Sequence, residues 1–494
     1  RAAALGAAHF GEQEGGRVRL AFEELLLQQL VLFRRRAGRR ESARAEALDM
    51  PGTLTRRWLV DSLPFVPTED QTSAMRAIDA DLAAGRPMQR LLMGEVGSGK
   101  TVVALYAMLR AVEHGAQAAL MAPTETLAEQ HFATLQGLMP GELVQAALLT
   151  GSTAAGRRAD LLGKLGSGEL KLLVGTHALI EDAVRFDRLA VAIVDEQHRF
   201  GVNQRRALDR KAPDGLAPHV LHMTATPIPR TLAMTAYGDL DVTALRHLPA
   251  GRRPIETYVA STDRERERAY ERIREELRAG RQAFVVCPLV EESEALAARA
   301  ATAEFERLAR TELRDFRVVL LHGQMRSREK QAAMAAFAAG GADVLVATTV
   351  IEVGIDVPNA SVMLVEGAER YGISQLHQLR GRIGRGPHDS VCVLFGPKES
   401  ARLRALRDHG DGFVLAEIDL ELRGEGEMLG TRQSGLAQFR VARLPEDVEL
   451  LDAARRIGVA LLEADPELAL PEHALLGWAI GAAYGAEVLD PIPA

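Results

Sequence analysis

The chain has 494 residues, 47% of them hydrophobic and 26% charged, with a formal net charge of −7. That suits about three soluble globular domains and excludes a membrane-spanning helix, since no apolar run reaches roughly 18 residues; no cationic stretch leading into an apolar one marks a secretory leader. The two cysteines, Cys287 and Cys392, sit singly in apolar runs, which excludes a cysteine-built zinc cluster and predicts buried structural thiols in a reducing compartment.

Residues 1–16 read as loosely structured, and Leu20–Phe33 as a helix packed on something larger. Arg34, Arg35, Arg36, Arg39, Arg40 and Arg44 follow. A helix face in solvent is the plainer reading of this cluster. A local basic patch that holds nucleic acid is the other, even on an acidic chain. Leu63–Gln71, Leu-Pro-Phe-Val-Pro-Thr-Glu-Asp-Gln, precedes a helical pattern. The Gln71 amide offers the donor and acceptor that an adenine edge needs; alternatively, Thr68 simply caps the helix.

The organising stretch is Gly94-Glu95-Val96-Gly97-Ser98-Gly99-Lys100-Thr101. An apolar run ends at Met93 and a helical pattern opens at Val102, the strand–loop–helix setting that a phosphate loop requires. Glycines let successive N–H groups turn inward, the helix start adds partial positive charge, Lys100 would reach the β- and γ-phosphates, and Thr101 would hold Mg²⁺. Beyond it, Ala118–Pro123, Lys171–Gly175, Leu189–Val194 and His219–Met223 read as strands separated by helical lengths. Such alternation predicts a parallel sheet covered on both faces, with ligands at the C-terminal strand ends. Asp195 and Glu196 stand at one of those ends, ninety-five residues or more after Lys100. Asp195 can hold a metal and Glu196 can polarise a water.

Pro249–Pro254 breaks the pattern, and alternation resumes with strand candidates at Ala283–Leu289, Val318–Leu321, Val344–Ala347, Ser361–Val365 and Val391–Phe395. This second unit has no phosphate loop. It ends in Gln375–Gly386, Gln-Leu-His-Gln-Leu-Arg-Gly-Arg-Ile-Gly-Arg-Gly, where Arg382 and Arg385 share a helical face. A guanidinium placed against the γ-phosphate stabilises the transition state by roughly 10³–10⁵ in rate, so a nucleotide between the two units would be hydrolysed only when they close. From Ala401 the chain turns helical and charged, and from residue 445 onward ten acids face two arginines, Arg455 and Arg456.

The segments Asp195-Glu-Gln-His-Arg-Phe-Gly-Val-Asn-Gln-Arg205, His222–Leu232, Val346–Pro358 and Gln375–Gly386 resemble superfamily 2 helicases and, more narrowly, the RecG family. The resemblance runs from about Leu20 to about Leu444. It implies two RecA-like parallel-sheet α/β motor domains in tandem, with a short helical N-terminal segment and a small, mostly helical C-terminal region. The expected divisions are 1–50, a linker following a wedge (OB-fold) domain that lies upstream of the initial Arg; 51–249 and 250–400, the motors; and 401–494, a translocation motif and acidic helical tail. Gln71 would contact adenine, Lys100 and Thr101 phosphate and metal, Asp195 Mg²⁺, Glu196 would act as base, and Arg382 and Arg385 as arginine fingers. Gln197, His198, Thr224, Thr226, Gly354 and Asp356 would couple nucleotide state to DNA; Thr124, Thr176, His322 and Thr349 would touch the DNA backbone without reading sequence. Asp411–Gln433 resembles the family's translocation motif, with Arg423 and Gln433 as its coupling residues. Glu95 stands where the family usually has Asp.

The implied activity is an ATP-dependent DNA helicase and double-strand translocase that remodels forks and four-way junctions in recombination and repair. Its implied cofactors are ATP and Mg²⁺. Branched DNA is the implied partner, with single-strand DNA-binding protein a further one, in a monomer of the bacterial cytosol away from membranes. The transcription-coupled repair translocase has a similar motor but usually carries Glu where Gln197 stands. A non-hydrolysing DNA-binding scaffold predicts damage at Lys100, Asp195, Glu196, Arg382 or Arg385, and all five are intact.

Overall fold

A computed structural model describes the chain except residues 1–12, 50, 140–142, 197–207, 209, 214, 228, 230–239, 248–252, 289–293, 349–356, 424–438, 445 and 486–494. The expected roles of Gln197, His198, Thr349, Gly354, Asp356 and Gln433 therefore lie outside the described residues, as does the side chain of Arg423.

Helix α1 (Gln13–Ser42) leads to α2 (Glu69–Leu82), β1 (Gln89–Gly94), α3 (Lys100–Glu113), β2 (Gln117–Met121), α4 (Glu125–Leu138), β3 (Ala146–Leu149), β4 (Leu172–Gly175), β5 (Leu189–Asp195), β6 (His219–Thr224) and β7 (Asp241–Leu245). The seven strands form one sheet in the order β3-β4-β2-β5-β6-β1-β7, and every pairing is parallel. Parallel strands need helical crossovers, so both faces are covered. On β5, Val191 and Ile193 face one apolar cluster and Ala192 and Val194 face the other. Helix α3 is buried from Val102 to Ala111. Each fully buried Leu on it, such as Leu105 or Leu109, contributes about 1.5–3 kcal/mol relative to exposure.

The second sheet contains β8 (Ile255–Ala260), β9 (Gln282–Val286), β10 (Val318–Leu321), β11 (Val344–Ala347), β12 (Ala360–Val365) and β13 (Ser390–Phe395). Its order is β10-β11-β9-β12-β13-β8, again parallel throughout. Helix α5 (Ile373–Arg380) lies between β12 and β13 in sequence; α6 (Ala401–Asp408), α7 (Gly412–Arg423), α8 (Val448–Ala464) and α9 (Ala474–Tyr484) follow. The chain is thus two RecA-like α/β domains with helical segments at either end. Cys287 and Cys392 are free and buried, and burial pushes both thiols up to about 12.

Helix α1 packs against the C-terminal helices α8 and α9. Ala21, Leu25, Leu30 and Val31 of α1 share a core with Leu451, Ala454 and Ile480. Arg17 clasps Asp447 with two bonds of 2.8 and 3.0 Å, Arg34 reaches Glu467 at 2.7 Å, and Glu24 accepts from the backbone N–H groups of Arg440, Val441 and Ala442. Arg36 pairs with Asp241 on β7, and Arg35 is buried. Arg34, Arg35 and Arg36 are therefore not a solvated face, whereas Arg44 is exposed. Arg34 and Arg36 join the first domain to the acidic C-terminal region, whose charge they match. Helix α1 also starts at Gln13, inside the stretch expected to be loose.

Candidate active site

β1 delivers the chain at Gly94 and α3 resumes at Lys100. Between them Gly97 and Gly99 have φ of +84° and +82°, where an L side chain is strained. At Gly99 a Cβ would also stand 2.2 Å from Gln71 Nε2, so glycine is needed there on two counts. Lys100 Nζ donates to the carbonyls of Gly94 (2.8 Å) and Glu95 (3.0 Å), lying across the mouth of the loop. The Ser98 hydroxyl is buried with no hydrogen-bond partner among the described residues. Burial holds the Lys100 ammonium below its usual pKa, against the pull of Asp195, Glu196 and Glu95; Arg385 of the second domain adds to the depression.

Asp195 closes β5, and the register Asp195↔Met223 with Met93↔Thr224 sets it on the same rim as the loop. Burial would raise its carboxyl, but His131, Lys100 and the Glu196 N–H outweigh that and hold it below the usual range. His131 Nε2 is 2.7 Å from Asp195 Oδ2. Glu196 has φ +52°, a left-handed conformation that costs a non-glycine residue about 1–3 kcal/mol and is characteristic of functional positions. Its Oε1 accepts from Ala225 N–H at 3.3 Å.

The second domain meets this rim through α5. Gln378 Nε2 donates to Thr226 Oγ1 at 2.5 Å, and Thr224 Oγ1 accepts from Thr226 N–H at 3.2 Å. A Cβ on Gly381 would lie 3.4 Å from Val96 Cβ, so the helix end rests on the phosphate loop. Arg385 Nε donates to Gly381 O at 3.0 Å, and Arg382 and Arg385 are half-buried. Arg380, by contrast, is buried on the carbonyls of Leu406 (2.6 Å) and His409 (3.0 Å). A third contact comes from α7. Glu95 accepts from Gly412 N–H and stands 3.6 Å from His377 Nε2, while Phe413 packs on Leu91, Met93 and Leu240 beneath the Arg246 guanidinium.

Gln71 differs from its expected use. Its Nε2 donates to Ser98 O (2.9 Å) and its Oε1 accepts from Thr68 N–H (2.9 Å), so the amide is spent bracing the loop within a capping box. Thr124 caps α4, accepting from Leu127 N–H at 3.3 Å. Thr176 follows β4 and is 1% exposed, its hydroxyl without a partner among the described residues. Buried in this way, it does not offer itself at the surface. His322 follows β10, half-buried, with Nδ1 likewise without a partner among the described residues. Sequence reading missed His131, Gln378 and Gly412. Only His131 left a signal: it lies three residues after Ala128 and four before Leu135, a polar residue on an apolar stripe.

Two RecA-like α/β domains that meet at one phosphate loop define the fold of the DEAD/DEAH-box helicase class. Residues 68–235 match the DEAD/DEAH box helicase model and 268–387 the helicase conserved C-terminal domain. Residues 409–481 match domain 3, C-terminal, of ATP-dependent DNA helicase RecG. The RecG of Mycobacterium tuberculosis is 48% identical over 501 residues, covering 94% of this chain and 68% of that protein. In Synechocystis the identity is 48% over 456 residues, covering 92% of this chain and 54% of the relative. A RecG structure bound to a three-way DNA junction superposes with a TM-score of 0.74 at 40% identity, covering 91% of this chain and 59% of that one. The chain belongs to the RecG family, and it spans between about half and two thirds of the length of these relatives.

Proposed function

We propose that the chain hydrolyses ATP to drive a DNA translocase that remodels branched duplex DNA, forks and four-way junctions included. The observation that carries this reading is that α5 of the second domain closes on the phosphate loop of the first, Gly381 against Val96 and Gln378 on Thr226, with Lys100, Asp195 and Glu196 on the same rim. Domain closure then becomes a condition of hydrolysis, and cyclic closure is what a stepping motor uses. The family and the junction-bound relative supply the nucleic acid.

The residues present fit a nucleotide with its metal. Among the described residues no group of three or more His, Cys, Asp or Glu forms a self-sufficient metal cage. That suits Mg²⁺, which binds through one or two protein groups and keeps phosphate and water as its other ligands. Thr101 and Asp195 would hold it; when bound, it neutralises charge on the β- and γ-phosphates. Gly94–Thr101 supplies inward N–H groups, with Lys100 turning from the loop carbonyls to phosphate. Glu196, anchored on Ala225 N–H, orients the attacking water and takes its proton. Arg385, with Arg382 beside it, meets charge developing on the γ-phosphate oxygens. Thr226 and Gln378 carry the state of that site across the domain boundary. Thr124 and His322, on the C-terminal rims of the two sheets, face the DNA backbone.

We assign residues 51–249 and 250–400 to the two motors and 401–494 to a coupling region. Single-strand DNA-binding protein as partner, a monomeric state and a cytosolic location belong to the same proposal. Among the described residues, no helix is long and apolar enough to cross a membrane. Steady-state ATP hydrolysis without DNA, with linear duplex and with a synthetic four-way junction tests the reading. Stimulation by DNA, greater with the junction, is expected. Turnover indifferent to DNA would refute it.

A further inference from the structure

Helix α4 carries a polar side-chain contact at His131, on the face it packs inward. Ala128 and Leu135 are fully buried, and His131 lies between them on the same stripe. Its ring is 12% exposed and the Asp195 carboxylate 10%, so the 2.7 Å bond between Nε2 and Oδ2 runs through a mostly dry space. The same carboxylate has Lys100 and the Glu196 N–H as its other neighbours. His131 therefore fixes from outside the orientation of a group that Lys100 would otherwise pull toward itself.

His131 lies midway along α4, whose N-terminal end is capped by the Thr124 hydroxyl. Next to it Glu125 accepts from Ser152 N–H at 3.0 Å, tying the helix start to the loop after β3. From Thr124 to His131 is two turns, roughly 10 Å of rigid helix. One hydrogen bond joins this helix to Asp195. Among the described residues, no other side chain of α4 hydrogen-bonds to Asp195 or Glu196.

We propose that His131 is a positioning residue: it ties α4 to Asp195 and makes hydrolysis respond to nucleic acid docked at the Thr124 end. This rests on the reading of the chain as a DNA-dependent ATP hydrolase. Hydrogen-bond partners behind a metal-binding side chain are typically worth about 10–100-fold in activity or metal affinity, which sets the expected size.

The test compares wild type with His131→Leu, which suits the apolar stripe, and His131→Gln, whose amide nitrogen can occupy the place of Nε2. Turnover at saturating linear duplex, KM for ATP, duplex affinity by fluorescence anisotropy, and Mg²⁺-dependent binding of a fluorescent ADP analogue are measured for each. His131→Leu is expected to lose about tenfold or more in DNA-stimulated turnover, with duplex affinity within about twofold of wild type and weaker Mg²⁺-dependent ADP binding, KM for ATP rising with it. His131→Gln recovers much of the loss. Equal stimulation of His131→Leu and wild type overturns the proposal, and so does a His131→Gln chain as impaired as His131→Leu. A wild type that DNA does not stimulate refutes the underlying functional reading instead, and the ADP-binding comparison still reports whether His131 orders Asp195.

Discussion

Arg110→Met is expected to loosen the first domain behind its phosphate loop. Arg110 sits on α3, the helix that Lys100 begins, and its side chain is fully buried. Its guanidinium donates to Asp79 Oδ1 (3.0 Å), Glu113 Oε2 (3.3 Å) and Leu48 O (3.2 Å), so it locks α2, α3 and the segment ahead of them together. Removing one member of a buried pair costs roughly 3–5 kcal/mol, because the partner charge stays behind. Here the partners are partly cushioned. Asp79 keeps the Tyr106 hydroxyl at 2.7 Å, and Glu113 keeps the N–H groups of Gly52, Leu54 and Thr55 and the Thr55 hydroxyl. That points to the lower end, about 3 kcal/mol. For a domain of this size the melting temperature falls by about 2–4 °C per kcal/mol, giving a drop of roughly 6–12 °C. Differential scanning calorimetry reads it, with Arg110→Lys as an intermediate case. A shift under about 2 °C, less than one kcal/mol by the same scaling, would show that the network does not hold in solution.

Glu113 gives the pH dependence. Burial would raise its carboxyl, but the hydrogen bonds from Gly52, Thr55 and Leu54 hold it below the ordinary 4.5. A depressed carboxyl stabilises the fold above its unfolded pKa and loses that contribution as the pH falls through its folded one. The stability gap between wild type and Glu113→Gln should therefore be widest near neutrality and shrink progressively below pH 4.5; a gap that is constant with pH would contradict this. Gly412→Ala places a Cβ 2.5 Å from His377 Nε2 and 2.7 Å from Pro227 Cγ, an overpacking cost of about 1–3 kcal/mol. It should open the contact between α7 and the phosphate loop and reduce ATP turnover, whereas unchanged turnover would mean that this junction is not needed in the closed state. Cys287 and Cys392, buried and with thiols pushed up to about 12, should resist Ellman's reagent in the native protein and react in denaturant. Rapid native reaction of either would be inconsistent with the fold.

Interior strands were legible because a strand buried on both faces must be an unbroken apolar run. β1, β2, β4, β5 and β6 announced themselves in this way, as did β9, β11, β12 and β13; β10, half-buried at a sheet edge, was legible because its four residues are all apolar. The three that escaped, β3, β7 and β8, are all at sheet edges. β7 and β8 are only partly covered and carry polar residues within the run, as Asp-Val-Thr-Ala-Leu and Ile-Glu-Thr-Tyr-Val-Ala show, and half-covered strands carry no continuous signal. The phosphate loop and the Asp195-Glu196 pair were readable because their chemistry depends on local spacing. Contacts such as Gln378 to Thr226 or Glu95 to Gly412 join residues more than a hundred and fifty positions apart, and nothing local marks them. Charge misled in one place. Arg34 and Arg36 read as part of a solvated face, yet their partners, Glu467 and Asp241, are two to four hundred residues away.

The central claim is that a site begun on the first domain is completed by an arginine from the second. Its most direct test measures ATP binding and ATP hydrolysis separately on Arg385→Ala, with duplex DNA present. Binding within a few-fold of wild type, with turnover lower by about 10³ or more, is the predicted result. Turnover close to wild type would mean that Arg385 does not complete the site, and the shared active site would have to be abandoned.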